Sequence, residues 1–442
     1  MNNWTELKPQ VRQVWKLSLP AILSQITTIV MQYIDAAMVG SLGANASAAI
    51  GLVASSTWLM NGIVYAVSAG FSVQVAHHIG AEQPQKARNV VRHGLICALI
   101  LSGLLCLFGA LISPSLPVWL GGEAAIQKDA AAYFLMFALT LPFVQLGSLC
   151  ASYLRCCGDM VTPSILNSLM CLLDVIFNAV FIPKYGVLGA GIGTGLAFAV
   201  ISLFMAWRCC ISNKSLSLLR REKACFQGEI LKKAFRIGMP VAVQEVAMSG
   251  AMVASMAIIA PLGAVAIAAH SFAITAESLC YMPGYGIGSA ATALVGRSVG
   301  AGDMKQAKRY GNICTALGGI FMGVTGMIMA VACPVVFTIL TPDQQVRELA
   351  TQVLRIGLIA ESLFGISIVA ADSLRGAGDT FVPSLMNIGS IWLVRIGLAM
   401  LLVKLLGLRG MWIAMAVELC VRGALMLYRL KTSGLYHGGN AV

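Results

Sequence analysis

Charged residues are scarce in this chain. Only 11% of its 442 residues are Asp, Glu, Lys or Arg, whereas 58% are hydrophobic. An average soluble domain carries about 25% charged residues, so this composition excludes an ordinary soluble protein. Apolar runs of about 20 residues recur along the whole length, as membrane-spanning helices require, and the short alternating segments of a membrane β-barrel are missing. The sequence therefore predicts an all-α integral membrane protein.

Signatures of enzymes and metal sites are also missing. There is no HExxH and no Walker loop, which argues against a metalloprotease and against ATP as the energy source. The chain has 13 cysteines, mostly inside apolar runs. The adjacent pairs Cys156-Cys157 and Cys209-Cys210 are poorly spaced for zinc, so we interpret the cysteines as small apolar residues. No cofactor and no enzymatic activity are expected, and the polar first residues do not form a cleavable signal peptide.

The net charge of +12 is explained by membrane topology. Lys and Arg lie at the ends of apolar runs and concentrate in every second loop, which indicates a multi-pass protein of the plasma membrane with both termini cytoplasmic, and no nucleic-acid partner. Twelve spans are predicted, over about 14–38, 48–76, 89–113, 130–154, 162–183, 187–208, 234–258, 265–294, 309–334, 348–374, 381–403 and 407–429.

One stretch of the sequence occurs twice. The pattern L-R-x-x-G-D-x-x-x-P-S begins at Leu154 and again at Leu374, an offset of 220 residues that also carries Pro20 onto Pro240. A constant offset over most of two halves is the mark of an internal duplication. Since each half has six spans, the halves share one orientation and form a parallel repeat.

The duplication and the basic loops divide the chain into four parts. We predict an N-terminal six-helix lobe over 1–209, a cytoplasmic linker over 210–233, a C-terminal six-helix lobe over 234–430 and a cytoplasmic tail over 431–442. No separate soluble domain is expected, and the chain is predicted to be monomeric.

The repeated motifs fall on loops of the predicted cytoplasmic side. Each motif is read as a tight helix–turn–helix in which the Gly ends one helix and the Pro begins the next. Arg155 and Asp159 in the first copy, with Arg375 and Asp379 in the second, are candidates for a gate on that side. Asp372, three residues before Arg375, is expected to form a local salt bridge with it.

Acids inside predicted spans are the main functional candidates. A charge at the centre of a bilayer costs about 2.5–3.5 kcal/mol, so an acid that persists there is a functional candidate by default. Asp35 ends the first span, and Asp174 lies in the fifth span about 14 Å of helix from its outer end, so the two can share a depth. Asn178, one turn beyond Asp174 on the same face, and Thr194 add an amide and a hydroxyl. These oxygens suit Na⁺, and two adjacent carboxyls can equally share one proton.

The second half of the chain does not repeat these acids. At the offset of 220, Ser255 replaces Asp35 and Val394 replaces Asp174. The halves therefore share a scaffold but not the ion-binding candidates.

The second half carries polar candidates of its own. Gln25 of the first half falls on Glu245, which lies near mid-membrane and could meet a cationic substrate. Glu277, Glu361 and Arg395 are further substrate-site candidates within predicted spans. Glu361 and Arg395 each lie about 14 residues from the second motif, and a buried ion pair between them is plausible as either a structural or a functional feature.

Taken together, these features resemble one family of transporters, the multidrug and toxic compound extrusion (MATE) family. The resemblance covers essentially all of residues 12–430. It is carried by Asp35 with the following MVGSLGANASAAIGL, Asp174 in LLDVIF, the paired motifs, GSLGA and APLGA at 40–44 and 260–264, and AAHS at 268–271.

The resemblance implies a fold and an activity. Members of the family have two six-helix lobes around a central cavity and export organic cations or other amphipathic compounds by alternating access, driven by inward H⁺ or Na⁺. Asp35, Asp174 and Thr194 match the ion-site positions of one branch. Met170 stands where that branch has Asn, while Asn178 follows Asp174, so the site is expected to be rearranged. Another branch carries its coupling acids in spans 7 and 10. We do not assign the ion site of that branch to residues of this chain.

Three other classes of membrane protein are alternatives to a MATE transporter. A flippase for lipid-linked oligosaccharide, from the same superfamily, is the main alternative, although the acidic interior favours cationic cargo. A major facilitator carrier would show its basic loop motif after the second span, where this chain reads HHIGAEQPQKAR. A channel fits less well, because buried acids and duplicated lobes suit alternating access.

Overall fold

A computed structural model describes residues 3–219 and 227–433 of the chain. Its α-helices are α1 Asn3–Gly40, α2 Ala44–Gly80, α3 Pro84–Ile112, α4 Leu116–Trp119, α5 Ala124–Cys156, α6 Val161–Tyr185, α7 Val187–Trp207, α8 Gly228–Ile259, α9 Ala264–Gly300, α10 Met304–Leu340, α11 Gln344–Leu358, α12 Glu361–Gly376, α13 Phe381–Gly389, α14 Gly397–Leu406 and α15 Leu408–Thr432. Two π-helical segments, Arg208–Ser212 and Ser390–Ile396, and a 3-10 turn, Ala260–Leu262, complete the described structure.

The helices are long and apolar enough to cross a membrane. Among the described residues, 11 helices meet that requirement, and a bent pair made of α11 and α12 brings the number of spans to 12. No strand occurs in the described residues. The prediction of an all-α membrane protein with about twelve spans is therefore confirmed. The basic linker residues Arg220, Arg221 and Lys223 and the end of the predicted tail, 434–442, lie outside the described residues.

The described chain packs into two compact units. One unit contains residues 27–242, and the other contains 1–26 together with 243–442. These units differ from the sequence halves at two places, because the first part of α1 groups with the second half and the first part of α8 groups with the first half. The four-part division drawn from the duplication remains a prediction.

Backbone geometry repeats between the halves as the sequence does. Gly158 and Gly378 end their helices with φ angles of +88° and +90°. Gly43 and Gly263 show the same correspondence, with φ angles of +108° and +93°. Because side chains rarely adopt such angles, glycine recurs at these turns for a physical reason. The helix–turn–helix interpretation of both motifs agrees with this geometry.

A single inserted residue changes the register in the second half. The turn at Gly186 has a φ angle of +58° and is matched by Gly407 with the same angle, an offset of 221. The π-helical segment Ser390–Ile396 lies between the last position at offset 220 and the first at 221, and a π segment accommodates one extra residue inside a helix. Counted back from Gly407, Arg395 instead of Val394 is in register with Asp174.

The tenth span is broken. The predicted span over about 348–374 is formed by α11 and α12, whose axes differ by 54°. At the break, the amide of Ala360 donates to the carbonyl of Gly357, 2.9 Å away, in place of a regular helical bond. A Cβ atom on Gly357 would lie 2.7 Å from the Trp412 ring, so this glycine lets the indole pack against the backbone. The predicted tenth span therefore corresponds to a bent pair of helices, and no proline signals the bend.

Candidate functional site

Two acids from different helices are bridged by one amide in the unit that contains residues 27–242. The Nδ2 atom of Asn178 donates to Asp35 Oδ1 at 3.0 Å and to Asp174 Oδ2 at 3.2 Å. Asp174 is also an electrostatic neighbour of Asp35. Asp174 and Asn178 are almost fully buried, with 1% of each exposed, while Asp35 is half-buried. The predicted ion-site residues Asp35, Asp174 and Asn178 thus form one cluster.

Helical spacing and a glycine position the amide. Asp174 and Asn178 are four residues apart on α6, so their side chains lie one above the other on the same face. Gly193 of α7 faces Asn178, and a Cβ atom there would collide with the side-chain oxygen Oδ1. Only a residue without a side chain allows α6 and α7 to approach this closely.

Two buried oxygen atoms of the cluster have no hydrogen-bond partner in the described part of the chain. These atoms are Asp174 Oδ1 and Asn178 Oδ1. A buried polar atom without a partner costs about 1–3 kcal/mol, so it points to a missing ligand. Carboxylate and amide oxygens are hard ligands, and a carboxyl oxygen is also the atom that takes up a proton. The cluster therefore has the chemistry to hold either ion.

The other predicted member of the site is less closely attached. Thr194 is half-buried next to Gly193 on α7 and makes no hydrogen bond to Asp35, Asp174 or Asn178 among the described contacts. Met170 is buried and packs with Met31, Ala197 and Ile201 in an apolar cluster. Asn178 reaches both acids from one turn beyond Asp174 on the same helix.

The second unit places a different set of charges at the related position. Arg395 pairs with Glu418, with 2.6 Å between Nη2 and Oε2, and Arg422 Nε lies 3.0 Å from Glu418 Oε1. Ser390 adds a hydrogen bond to Glu418 of 2.9 Å. The predicted pair between Glu361 and Arg395 is wrong, because the π-helical register turns Arg395 toward α15, where Glu418 lies.

Glu361 is instead an isolated buried acid at the broken span. It is the first residue of α12, is fully buried, and neither of its carboxyl oxygens has a partner in the described chain. Glu277 of α9 is its electrostatic neighbour and is 3% exposed, with Oε1 also unpartnered. Broken helices are where transporters commonly hold ions, so this pair is a second candidate cluster within its own unit.

The remaining candidates of the second unit lie near the motif. Glu245 is half-buried on α8, and the charges of Asp372 and Arg375 act on it. The predicted local salt bridge between Asp372 and Arg375 is present. Gln25 is half-buried on α1.

The motif aspartates bind partners that the sequence alone did not suggest. Asp379 accepts from Arg429 at 2.8 Å, and Asp159 lies 3.7 Å from the guanidinium of Arg208. Arg208 and Arg429 are separated by the same 221 residues as the second register of the duplication. Each motif is therefore tied to the end of the last helix of its own half, and the repeat offset was the signal that could have revealed this.

The motif arginines also have local roles. Arg155 donates to Ser152 Oγ at 3.0 Å, at the position matching the Asp372–Arg375 pair. Asp159 additionally caps α6 by accepting from the backbone amide of Thr162 at 3.0 Å. These contacts support a structural role for the motifs, while the gate remains a prediction.

One string in the chain has the spacing of a serine nucleophile. Gly296-Arg297-Ser298-Val299-Gly300 reads G-x-S-x-G, but it lies inside α9, and the hydroxyl of Ser298 donates to the carbonyl of Leu294 at 2.9 Å. A nucleophile elbow needs a sharp strand-to-helix turn that exposes the serine. This serine is 4% exposed in a continuous helix, so the string carries no catalytic site.

Comparisons with known proteins agree with the fold and the repeat. The MatE family model matches residues 20–180 and again 240–401. The chain is 27% identical over 431 residues to a probable multidrug resistance protein NorM of Thermotoga maritima, covering 95% of this chain and 92% of that protein. A NorM relative from Rhodopseudomonas palustris is 29% identical, with 95% and 91% covered.

A solved structure supports the same architecture. A MOP superfamily transporter from Pyrococcus furiosus superposes with a TM-score of 0.91 at 21% identity, covering 96% of each chain. At this identity the likeness speaks for the fold. The family model, which matches more than half of the chain in two repeated segments, decides the family. The chain belongs to the MatE family of multidrug and toxic compound extrusion (MATE) transporters.

Proposed function

We propose that the protein is a secondary active exporter of small amphipathic, positively charged compounds, driven by inward H⁺ or Na⁺. The observation that carries this proposal is the bridge from Asn178 to Asp35 and Asp174, with one buried oxygen of Asp174 left unpartnered. The relatives from Thermotoga maritima and Rhodopseudomonas palustris are named as probable multidrug resistance proteins, and this supports drug-like compounds as the class of cargo.

The acid cluster supports ion coupling. Two carboxylates held by the same amide repel each other in a buried site, so one proton or one Na⁺ relieves the repulsion. The ion would sit between Asp35 and Asp174, with Asn178 holding both groups in place. An ion shifts a conformational equilibrium only when it binds the two states with different affinity. Asp35 is half-buried while Asp174 is sealed, so a change in the exposure of Asp35 would supply that difference.

The unpaired acids support cationic cargo. In the second unit, Glu418 is neutralised by two arginines, whereas the carboxyl groups of Glu361 and Glu277 have oxygens without partners. An interior in which buried acids outnumber the bases that neutralise them attracts cations and disfavours anions. Glu245 and Gln25 are further candidates to contact the substrate. We also propose that the chain works as a monomer by alternating access, with both termini in the cytoplasm.

A transport assay tests the function. Purified protein in liposomes would be given a fluorescent organic cation under a pH gradient, a Na⁺ gradient or no gradient. We expect movement of the cation against its own gradient only when an ion gradient is imposed, and the effective gradient identifies the ion. If neither gradient moves any organic cation while a labelled lipid-linked oligosaccharide crosses the bilayer, the export proposal is wrong and the flippase alternative stands.

A further inference from the structure

Three thiols meet at one end of the unit that contains residues 27–242. Cys150 lies on α5, and Cys209 and Cys210 lie on the π-helical segment Arg208–Ser212 that follows α7. Their sulfur atoms all lie within 4.8 Å of one another. All three cysteines are free of disulfides. This cluster could not be predicted from the sequence, because Cys150 is separated from the adjacent pair by about 60 residues and two helices.

The π-helical segment explains how neighbouring cysteines can serve one site. In a regular α-helix, consecutive side chains point about 100° apart, which separates adjacent ligands. The wider π turn reduces that angle and turns both Cys209 and Cys210 toward α5. Single π turns inside helices are costly and occur frequently at functional sites. This turn has no assigned role in the proposed transport cycle.

The cluster is enclosed on most sides and open on one. Cys150 and Cys209 are fully buried, whereas Cys210 is partly exposed. The chain after the π turn folds back over the site, since the amide of Leu218 donates to the carbonyl of Cys210 at 2.7 Å. Asn213 Oδ1 holds that loop by accepting from the amide of Ser215 at 2.9 Å. A small ion can therefore reach the sulfurs past Cys210, while the inner two are shielded from solvent.

We propose that Cys150, Cys209 and Cys210 form a binding site for one soft, thiophilic metal cation, with Cu(I) as the best match. Metal–sulfur bonds of about 2.3 Å place three sulfurs about 4 Å apart around a trigonal centre, so sulfurs that lie within 4.8 Å of one another need to move by at most about 1 Å. Three thiolates select soft ions and reject hard ones such as Na⁺ and Mg²⁺. Structural zinc prefers a fourth ligand, which the described cluster does not offer.

Metal binding at this site releases protons and transfers no electron. Each thiol that becomes a thiolate ligand loses its proton as its metal–sulfur bond forms, and the proton passes to water at the exposed side of Cys210. No electron is transferred, because copper enters and remains as Cu(I). The bound ion would tie α5 to the end of α7, beside the Asp159–Arg208 contact.

Competition with a chromogenic Cu(I) chelator under anaerobic conditions tests the site. The variants are Cys150→Ser/Cys209→Ser/Cys210→Ser and a matched control in the other unit, Cys314→Ser/Cys333→Ser/Cys420→Ser. Elution of each variant as a single sharp species shows that it is folded. We expect the wild type and the control to bind one Cu(I) per chain and the first variant to bind at least 100-fold more weakly.

Two results would overturn the proposal. One is equal Cu(I) affinity in the wild type and the site variant. The other is absence of Cu(I) binding together with a Cys150–Cys209 disulfide after mild oxidation, found by mass spectrometry, which would make the cluster a redox pair. Because the site triple variant removes three groups at once, Cys209→Ser alone provides a milder check, with at least tenfold weaker binding expected.

Discussion

Asn178 donates a hydrogen bond to Asp35 across 143 residues of sequence, at 3.0 Å. The same amide reaches Asp174 one turn away on its own helix. One donor thereby holds two carboxyl groups that would otherwise repel each other, and the account of ion coupling depends on this geometry.

Removal of the bridging amide should weaken ion binding without removing an acid. A hydrogen bond to a charged group contributes about 1.5–3 kcal/mol, so Asn178→Ala should lower the apparent affinity for the coupling ion by about 10- to 150-fold. The measurement is the dependence of substrate transport on the concentration of the driving ion. Thr194→Ala is the matched control, because Thr194 has no hydrogen bond to the cluster and should change that dependence little. Equal effects of the two changes would contradict this role for Asn178.

Gly193 should tolerate no side chain. A Cβ atom at this position collides with Asn178 Oδ1, so Gly193→Ala should displace the amide and cost about 1–3 kcal/mol of overpacking. Gly51 on α2 is a control in the same unit, since a Cβ atom there meets nothing within 4 Å. We expect a lower Tm and reduced transport for Gly193→Ala, and neither for Gly51→Ala. A wild-type Tm for the first variant would show that α6 and α7 can move apart at no cost.

Replacing a buried glutamate by glutamine should have opposite effects on thermal stability, depending on whether the carboxyl group has a partner. Glu418→Gln leaves the buried Arg422 and the half-buried Arg395 without their shared partner, and breaking such a buried pair costs about 3–5 kcal/mol. Glu361→Gln removes a carboxyl group that has no partner in the described chain, so the Tm should stay the same or rise. Thermal unfolding in detergent compares the two. A larger destabilisation from Glu361→Gln would reveal a partner for that acid and would remove its candidacy as an open ion ligand.

The motif aspartates should differ in their contribution to stability. The side chain of Asp379 is 8% exposed and lies 2.7 Å from Arg429, whereas that of Asp159 is 22% exposed and lies 3.7 Å from Arg208. Asp379→Asn should therefore cost about 1.5–3 kcal/mol, and Asp159→Asn should cost less because solvent screens its longer contact with Arg208. The Tm of each variant measures its loss of stability. Equal losses would mean that the helix cap at Asp159 matters as much as the ion pair at Asp379.

The sequence predicted the membrane class, about twelve spans and the shared face of Asp174 and Asn178, because each rests on short-range information, whereas Thr194 was predicted in the same site and makes no hydrogen bond to it among the described contacts. Apolar run length gives the spans, and the i, i+4 spacing gives the shared face of Asp174 and Asn178. The break before Glu361 could not be predicted, since it depends on Gly357 packing against a ring from a distant helix.

Contacts between residues that are distant in the sequence could also not be predicted from a constant repeat offset. At the fixed offset of 220, Asp174 falls on Val394, whereas Arg395 is its counterpart once the extra residue of the π-helical segment Ser390–Ile396 is counted. The partner of Arg395 on α15 follows from that change of register. The thiol cluster was missed for the same kind of reason, as Cys150 approaches the adjacent pair only in the folded unit.

The central claim is that the pair Asp35 and Asp174 binds the ion that is exchanged for substrate. The most direct measurement is ion release from purified protein when a saturating organic cation is added, followed with a pH-indicator dye in weak buffer and, in parallel, by displacement of radioactive sodium. The account predicts release of H⁺ or Na⁺ from the wild type and none from Asp35→Asn or Asp174→Asn. Undiminished release from both variants would contradict it and would move the coupling site to Glu361 and Glu277.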